Sequence, residues 1–146
     1  MTTDEVKAWL RSYRLLKAEI DTLENEIAEW KSRAARLTQS YSGMPSGSGS
    51  TDQIPSTVER IMELEERLQH KADKLTQTRH DIENAVEMVP NSSHRTLLRK
   101  RYIDGERDWD AIGDTIGYTE RHARRVHGWA LQSLKNVLKC PPKSVL

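Results

Sequence analysis

The chain has 146 residues, of which 31% are charged and 5% aromatic, with no Phe, and its mean hydropathy is −0.77. This excludes a broad globular core and favours an elongated or mostly helical chain, either one compact domain or two very small ones. The net charge is +1, but residues 1–93 hold 12 Lys/Arg against 16 Asp/Glu while residues 94–146 hold 11 against 6. An acidic body therefore carries a basic end, and a small basic helical unit points to a polyanion partner.

No stretch approaches 18 consecutive apolar residues, so no membrane span and no membrane partner are expected. The opening MTTDEVKAWL lacks a basic segment followed by an apolar run, so no signal peptide is expected. The one cysteine, Cys140, excludes an intramolecular disulfide and a thiolate zinc cluster. A reducing cytoplasm is the expected compartment.

Val6, Trp9, Tyr13, Leu16, Ile20, Leu23, Ile27, Trp30, Ala34, Leu37 and Tyr41 follow one another at alternating intervals of 3 and 4. This spacing predicts one long helix with a narrow apolar seam, capped by Asp4 or Thr3 and roughly 55–60 Å long. The Gly/Ser/Pro stretch 42–55, with Met44-Pro45, has no helix potential and reads as a linker. Ile54, Ile61, Leu68, Leu75, Ile82 and Val89 then recur every seven residues, widened by Val58, Leu64, Ala72, Ala85 and Val86. They predict a second helix, starting at Pro55-Ser56-Thr57 and closed by Pro90. Neither seam is stable uncovered, so residues 1–90 are expected to form a long antiparallel helical hairpin, a coiled coil. Pairing of either seam with another chain is the alternative, and a hairpin that also makes the protein a homo-oligomer combines the two.

Residues 91–140 have a different texture. Asn91, Ser92 or Ser93 caps a helix through Leu97, Leu98 and Tyr102 that ends near Asp104-Gly105. Asp108 caps a second, with Trp109, Ile112 and Ile116, and Gly117 stands where a positive φ is required. Thr119 caps a third, whose inner face is Ala123, Val126, Ala130, Leu131 and Leu134; Pro141-Pro142 begins a tail, 141–146. A helix over 108–116, a short turn and a helix over 119–137 make a helix-turn-helix, so the whole chain is expected to be all-α.

Glu120, Arg121, His122, Arg124 and Arg125 crowd the first half of the third helix. Positions 120, 121, 124 and 125 share one side over about a turn and a half, which suits a DNA major groove. Arginine reads guanine bidentately or clamps phosphate, and glutamate accepts from cytosine. A solvated charged face is the alternative; the turn and the three-helix context favour double-stranded DNA. Arg95, Arg99, Lys100 and Arg101 form a second basic cluster, in which Arg99 and Arg101 are read as contacts to phosphate or to RNA polymerase, or else as a solvated face. Trp109 and Tyr118, at helical apolar spacing, are expected in the core, and Trp129 partly exposed.

Enzyme readings are weak. Asp110 and Asp114 lie one turn apart on a surface helix, Asp108 serves as a cap, and no further metal ligands are near in sequence. His122 and His127 do not share a face, and His70, His80 and His94 are scattered. Gly47-Ser48-Gly49 lacks the strand and lysine of a phosphate loop, and Cys140 has no histidine or acid partner. No catalysis, cofactor or metal is expected.

The series Leu97-Leu98-Arg99-Lys100-Arg101-Tyr102-Ile103-Asp104-Gly105, Trp109-Asp110-Ala111-Ile112-Gly113, Ile116-Gly117-Tyr118-Thr119-Glu120-Arg121-His122 and Val126-His127-Gly128-Trp129-Ala130-Leu131 resembles region 4 of bacterial sigma factors. More closely, it resembles the ArpU/RinA-like regulators of phage late genes. That family similarly has a coiled coil, a Met-Pro and Gly/Ser-containing linker, a second coil and a C-terminal helix-turn-helix, so the resemblance covers essentially the whole chain. It implies a transcription activator of late (packaging and structural) genes, bound to promoter DNA with host RNA polymerase as a candidate partner, acting in the bacterial cytoplasm on the nucleoid. With Thr119 as the cap, the positions that meet the promoter in sigma region 4 match Glu120, Arg121, Arg124 and Arg125. Gly113 stands where sigma factors usually carry Ala, and Ala123 where they carry a larger aliphatic, which points to tight helix packing. The other sigma regions have no counterpart here, so a complete sigma factor is not expected. A small terminase-like DNA-packaging subunit is the alternative, because it also joins a helix-turn-helix to helical oligomerisation segments.

Overall fold

The structure, a computed structural model, describes residues 1–43 and 53–139, with side chains for 1–39 and 53–138. The described residues are helical throughout apart from short connections, and none is in a strand. The fold is all-α and begins with a pair of long helices, α1 (Thr3–Gly43) and α2 (Gln53–Glu87). The helices reach into both ends of the stretch expected as linker, up to Gly43 and from Gln53. Residues 44–52, Cys140, Pro141-Pro142 and the tail, like the side chain of Tyr41, lie outside the described residues.

Three shorter helices follow: α3 (Ser92–Leu98), α4 (Trp109–Ile116) and α5 (Glu120–Lys139). Asn91 caps α3, its side chain accepting from the backbone N–H groups of Ser93 and His94. One turn of π-helix, Arg99–Ile103, prolongs α3 to Asp104-Gly105. There Gly105 takes φ +79° while the Glu106 N–H donates to the Lys100 carbonyl at 3.0 Å, which stops the helix.

Packing divides the chain into two compact units, one of residues 1–15 with 75–146 and one of residues 16–74. The divisions fall inside α1 and α2 rather than at Pro90, because the first turns of α1 and the last turns of α2 have more than each other to bury against. Val6, Leu10 and Tyr13 of α1 and Ile82, Ala85, Val86 and Val89 of α2 form one buried cluster with Leu98, Tyr102, Ile103, Ala130, Leu131 and Leu134. A helix with neighbours on two sides buries a stripe wider than a coiled-coil seam. Leu10, outside the heptad spacing, is accordingly fully buried, while Trp9, within it, packs at the cluster's edge.

In the second unit the two helices run antiparallel. Leu23, Ile27 and Leu64 are buried together, with Trp30 and Leu68 packed against them. Glu19 meets Lys71 at 3.0 Å and Lys31 meets Glu65 at 3.0 Å, joining early α1 to late α2 and the reverse. Such exposed pairs contribute at most about 1 kcal/mol each, so the apolar seam holds the pair and the charges fix its register. Val58, expected to widen the seam, is instead exposed, and Leu64 takes the fully buried place.

Candidate nucleic-acid interface

The passage from α4 to α5 follows from three residues. Asp108 caps α4, accepting from the Asp110 N–H at 3.0 Å. Gly117 ends it with φ 77°, a left-handed conformation that a Cβ disfavours. The Gly113 carbonyl accepts from both Gly117 and Tyr118, the latter at 2.8 Å. Residue 113 must itself be glycine, because a Cβ there would collide with the Tyr118 carbonyl oxygen. Thr119 then opens α5: its hydroxyl accepts from the His122 N–H at 3.3 Å and its carbonyl from the Ala123 N–H at 2.8 Å.

The three short helices share a small core of Leu97 from α3, Ile112 from α4 and Val126 from α5, flanked by Trp109 and Ile116. Ala123 and Ala130 are buried on the same side of α5. The opposite side of its first half is thereby left outward, and Glu120, Arg121, Arg124 and Arg125 are all exposed there. The four do not act alike. Arg124 is held by Glu120 at 2.9 Å and lies over the Trp109 ring, 5.9 Å from its centroid. Arg121 and Arg125 make no ion pair among the described residues, so their guanidinium groups are free to meet an anion or a base edge.

His122 is half-buried in an aromatic row, edge-on to Tyr118 at 4.5 Å and to Trp129 at 6.0 Å. Tyr118, expected in the core, is exposed: it follows the left-handed Gly117, so it has left the inner face of α4 before α5 begins. Trp129 is 51% exposed.

The basic cluster on α3 is not a single surface. Arg95 donates to the carbonyls of Val89 at 2.7 Å and Pro90 at 2.9 Å, tying α3 to the segment that follows α2. Arg99 lies 3.9 Å from Glu83 of α2, and Lys100 4.0 Å from Asp104. Arg101 donates to the carbonyls of Glu106 and Arg107 at 3.4 and 3.0 Å and stacks on Trp109 at 4.7 Å. Trp109 thus joins Arg101 to Arg124, whereas Arg99 belongs with α2.

His127 plays a part that the sequence did not reveal. Its Nε2 lies 2.7 Å from the Tyr102 hydroxyl, and its ring is 4.9 Å from that of Trp109. Burial, assisted by Lys7, Arg101 and Arg11 nearby, pushes its pKa down to about 4. The ring is therefore neutral, and Nε2 shares one hydrogen bond with the Tyr102 hydroxyl. The signal available in the sequence was its place beside Val126 and one turn after Ala123, on the flank of the inner face.

Among the described residues no group of three or more His, Cys, Asp or Glu is placed to hold a metal ion, and no helix is long and apolar enough to cross a membrane. Comparison with protein-family models, curated proteins and solved structures finds no match to the chain.

Proposed function

We propose that this protein binds double-stranded DNA sequence-specifically through a helix-turn-helix formed by α4 and α5, and that it activates transcription of phage late genes. The observation that carries the reading is the first half of α5: a helix braced on its inner side by Leu97, Ile112 and Val126 presents Arg121 and Arg125 unpaired on its outer side. Arg125 and Arg121 read base edges in the major groove, Arg124 with Glu120 flanks them, and His122 keeps the aromatic row at the groove's rim. The late-gene role is supported by the resemblance of residues 97–131 to sigma region 4 and to the ArpU/RinA-like regulators. The same reading gives the chain RNA polymerase as a partner at the promoter, a homo-oligomer that presents two reading helices to two half-sites, and the nucleoid of a bacterial host as its place of action.

The test is mapping of bound sites on host and phage DNA, followed by a promoter-reporter assay on the strongest site. Recovery of a recurrent sequence upstream of late genes, with reporter activation that depends on Arg125, is expected. Absence of any sequence-selective binding at low salt, where phosphate contacts are strongest, would reject the reading.

A further inference from the structure

A second basic feature lies away from the outer side of α5. Arg11, Arg14 and Leu15 of α1 line a cleft of about 540 Å³ together with Arg101 and Arg107. All five belong to the compact unit that contains α5. Arg11, Arg14 and Arg107 make no ion pair among the described residues, and Arg101 is held only by neutral carbonyls and the Trp109 ring. Of the two carboxylates beside Arg107 in sequence, Glu106 accepts from the Asp108 N–H at 3.1 Å and Asp108 from the Asp110 N–H at 3.0 Å, and neither lines the cleft. Lys7, one turn before Arg11, adds to the positive field that reaches His127. Four guanidinium groups without a carboxylate repel one another, and an oxyanion placed among them relieves that repulsion while accepting their forked N–H donors.

We propose that this cleft grips a backbone phosphate of the DNA whose bases α5 reads. The inference rests on the reading of α5 given above and extends it to α1, which lies in the acidic part of the sequence. Its placement follows from Trp109: Arg101, in the wall of the cleft, and Arg124, on the outer side of α5, stack on the same ring at 4.7 and 5.9 Å. The cleft therefore borders the reading surface, so a helix seated in a major groove, about 12 Å wide, brings a flanking strand to it. Contacts of this kind fix position and carry no sequence information.

The experiment measures affinity of the full chain for its selected site and for a random duplex over a salt series, comparing wild type, Arg11→Gln with Arg14→Gln, Arg11→Lys with Arg14→Lys, and Arg125→Ala. The glutamine pair should weaken binding to both duplexes by the same factor, about tenfold or more near 0.1 M salt. Its slope of log affinity on log salt should be shallower by about 0.9, the contribution of one phosphate contact. The lysine pair should keep most of the slope, and thermal unfolding should be unchanged in both. Arg125→Ala should instead lower the ratio of specific to random binding. A glutamine pair with wild-type slope and affinity, beside an Arg125→Ala variant that loses specificity, would overturn the cleft and leave the α5 reading standing. A wild-type chain that binds neither duplex would overturn both. Loss of binding to a polyglutamate peptide in the glutamine pair, with DNA binding intact, would overturn the proposal in favour of an acidic protein partner.

Discussion

The His127 ring is packed against Trp109 and hydrogen-bonded to Tyr102, and Lys7, Arg11 and Arg101 crowd it with positive charge. Burial disfavours its protonation most, and the three cations add to it. In the unfolded chain the same side chain takes up a proton near pH 6.5. Between pH 6.5 and about 4 the unfolded state therefore binds more protons than the folded one, and stability falls as the pH is lowered through that window. Allowing for its partial exposure, the loss amounts to about 2 kcal/mol. Urea unfolding of wild type and His127→Gln at pH 7 and pH 4 measures it: the wild type should lose more stability over that interval by about this amount. Equal losses would show that the imidazole protonates as easily in the fold as outside it. Two glycines make the other prediction at this scale. Gly113→Ala places a methyl group against the Tyr118 carbonyl oxygen, and Gly117→Val forces a β-branched residue to φ 77°. Each should destabilise by more than about 1 kcal/mol. Gly128, where a Cβ would meet nothing within 4 Å, supplies the control, since alanine there should be neutral or mildly stabilising. Equal thermal unfolding of all three variants would contradict the geometry of the α4–α5 turn.

At the scale of elements, the outer and inner sides of α5 make separable predictions. Ile112→Ala and Val126→Ala remove side chains from the core that braces α5 and should each cost about 1–4 kcal/mol of stability. Arg125→Ala, fully on the outer side, should leave unfolding nearly unchanged while weakening specific binding by about 1–3 kcal/mol. Arg124→Ala should show a mixed effect, because it also breaks the pair with Glu120 and the contact with Trp109. Isothermal titration beside thermal melts of the four variants distinguishes these outcomes. Much of this layout was legible in the sequence: Asp108, Gly117 and Thr119 are caps that act over a few residues, and local hydrogen bonding is what single-sequence patterns record best. The fate of the basic cluster was not. Whether Arg95 faces solvent or the Val89 and Pro90 carbonyls depends on how the chain turns after α2, and whether Arg101 is free depends on the loop that Gly105 opens. Those partners are set by tertiary packing, for which residue type and spacing supply no signal.

At the scale of the whole molecule, the position of the packing boundaries decides what can be removed. The sequence shift at Pro90 suggests that residues 91–146 form a separable domain, yet more than half of their buried cluster comes from Val6, Leu10, Tyr13, Ile82, Ala85, Val86 and Val89. Heptad spacing reveals that these residues, Leu10 apart, are buried but not by what, which is why the long helices read as one hairpin from end to end. Burying Val6, Leu10 and Tyr13 stabilises the unit by about 4.5–9 kcal/mol in all, at about 1.5–3 kcal/mol per side chain. That is comparable with the whole stability of a small domain. Deletion of residues 1–15 should therefore unfold α3–α5 cooperatively, as seen by circular dichroism. Excision of residues 16–74, with a short Gly/Ser connection from Leu15 to Leu75, should leave the first unit folded because its cluster is intact. If the hairpin of residues 16–74 makes the homo-oligomer, the excised protein should sediment as a monomer and bind a single half-site as tightly as the full chain does. Its advantage on a doubled site should be lost. An excised protein that still sediments as a dimer would move the self-association to the first unit, and one that fails to fold would show that the two units are not independent.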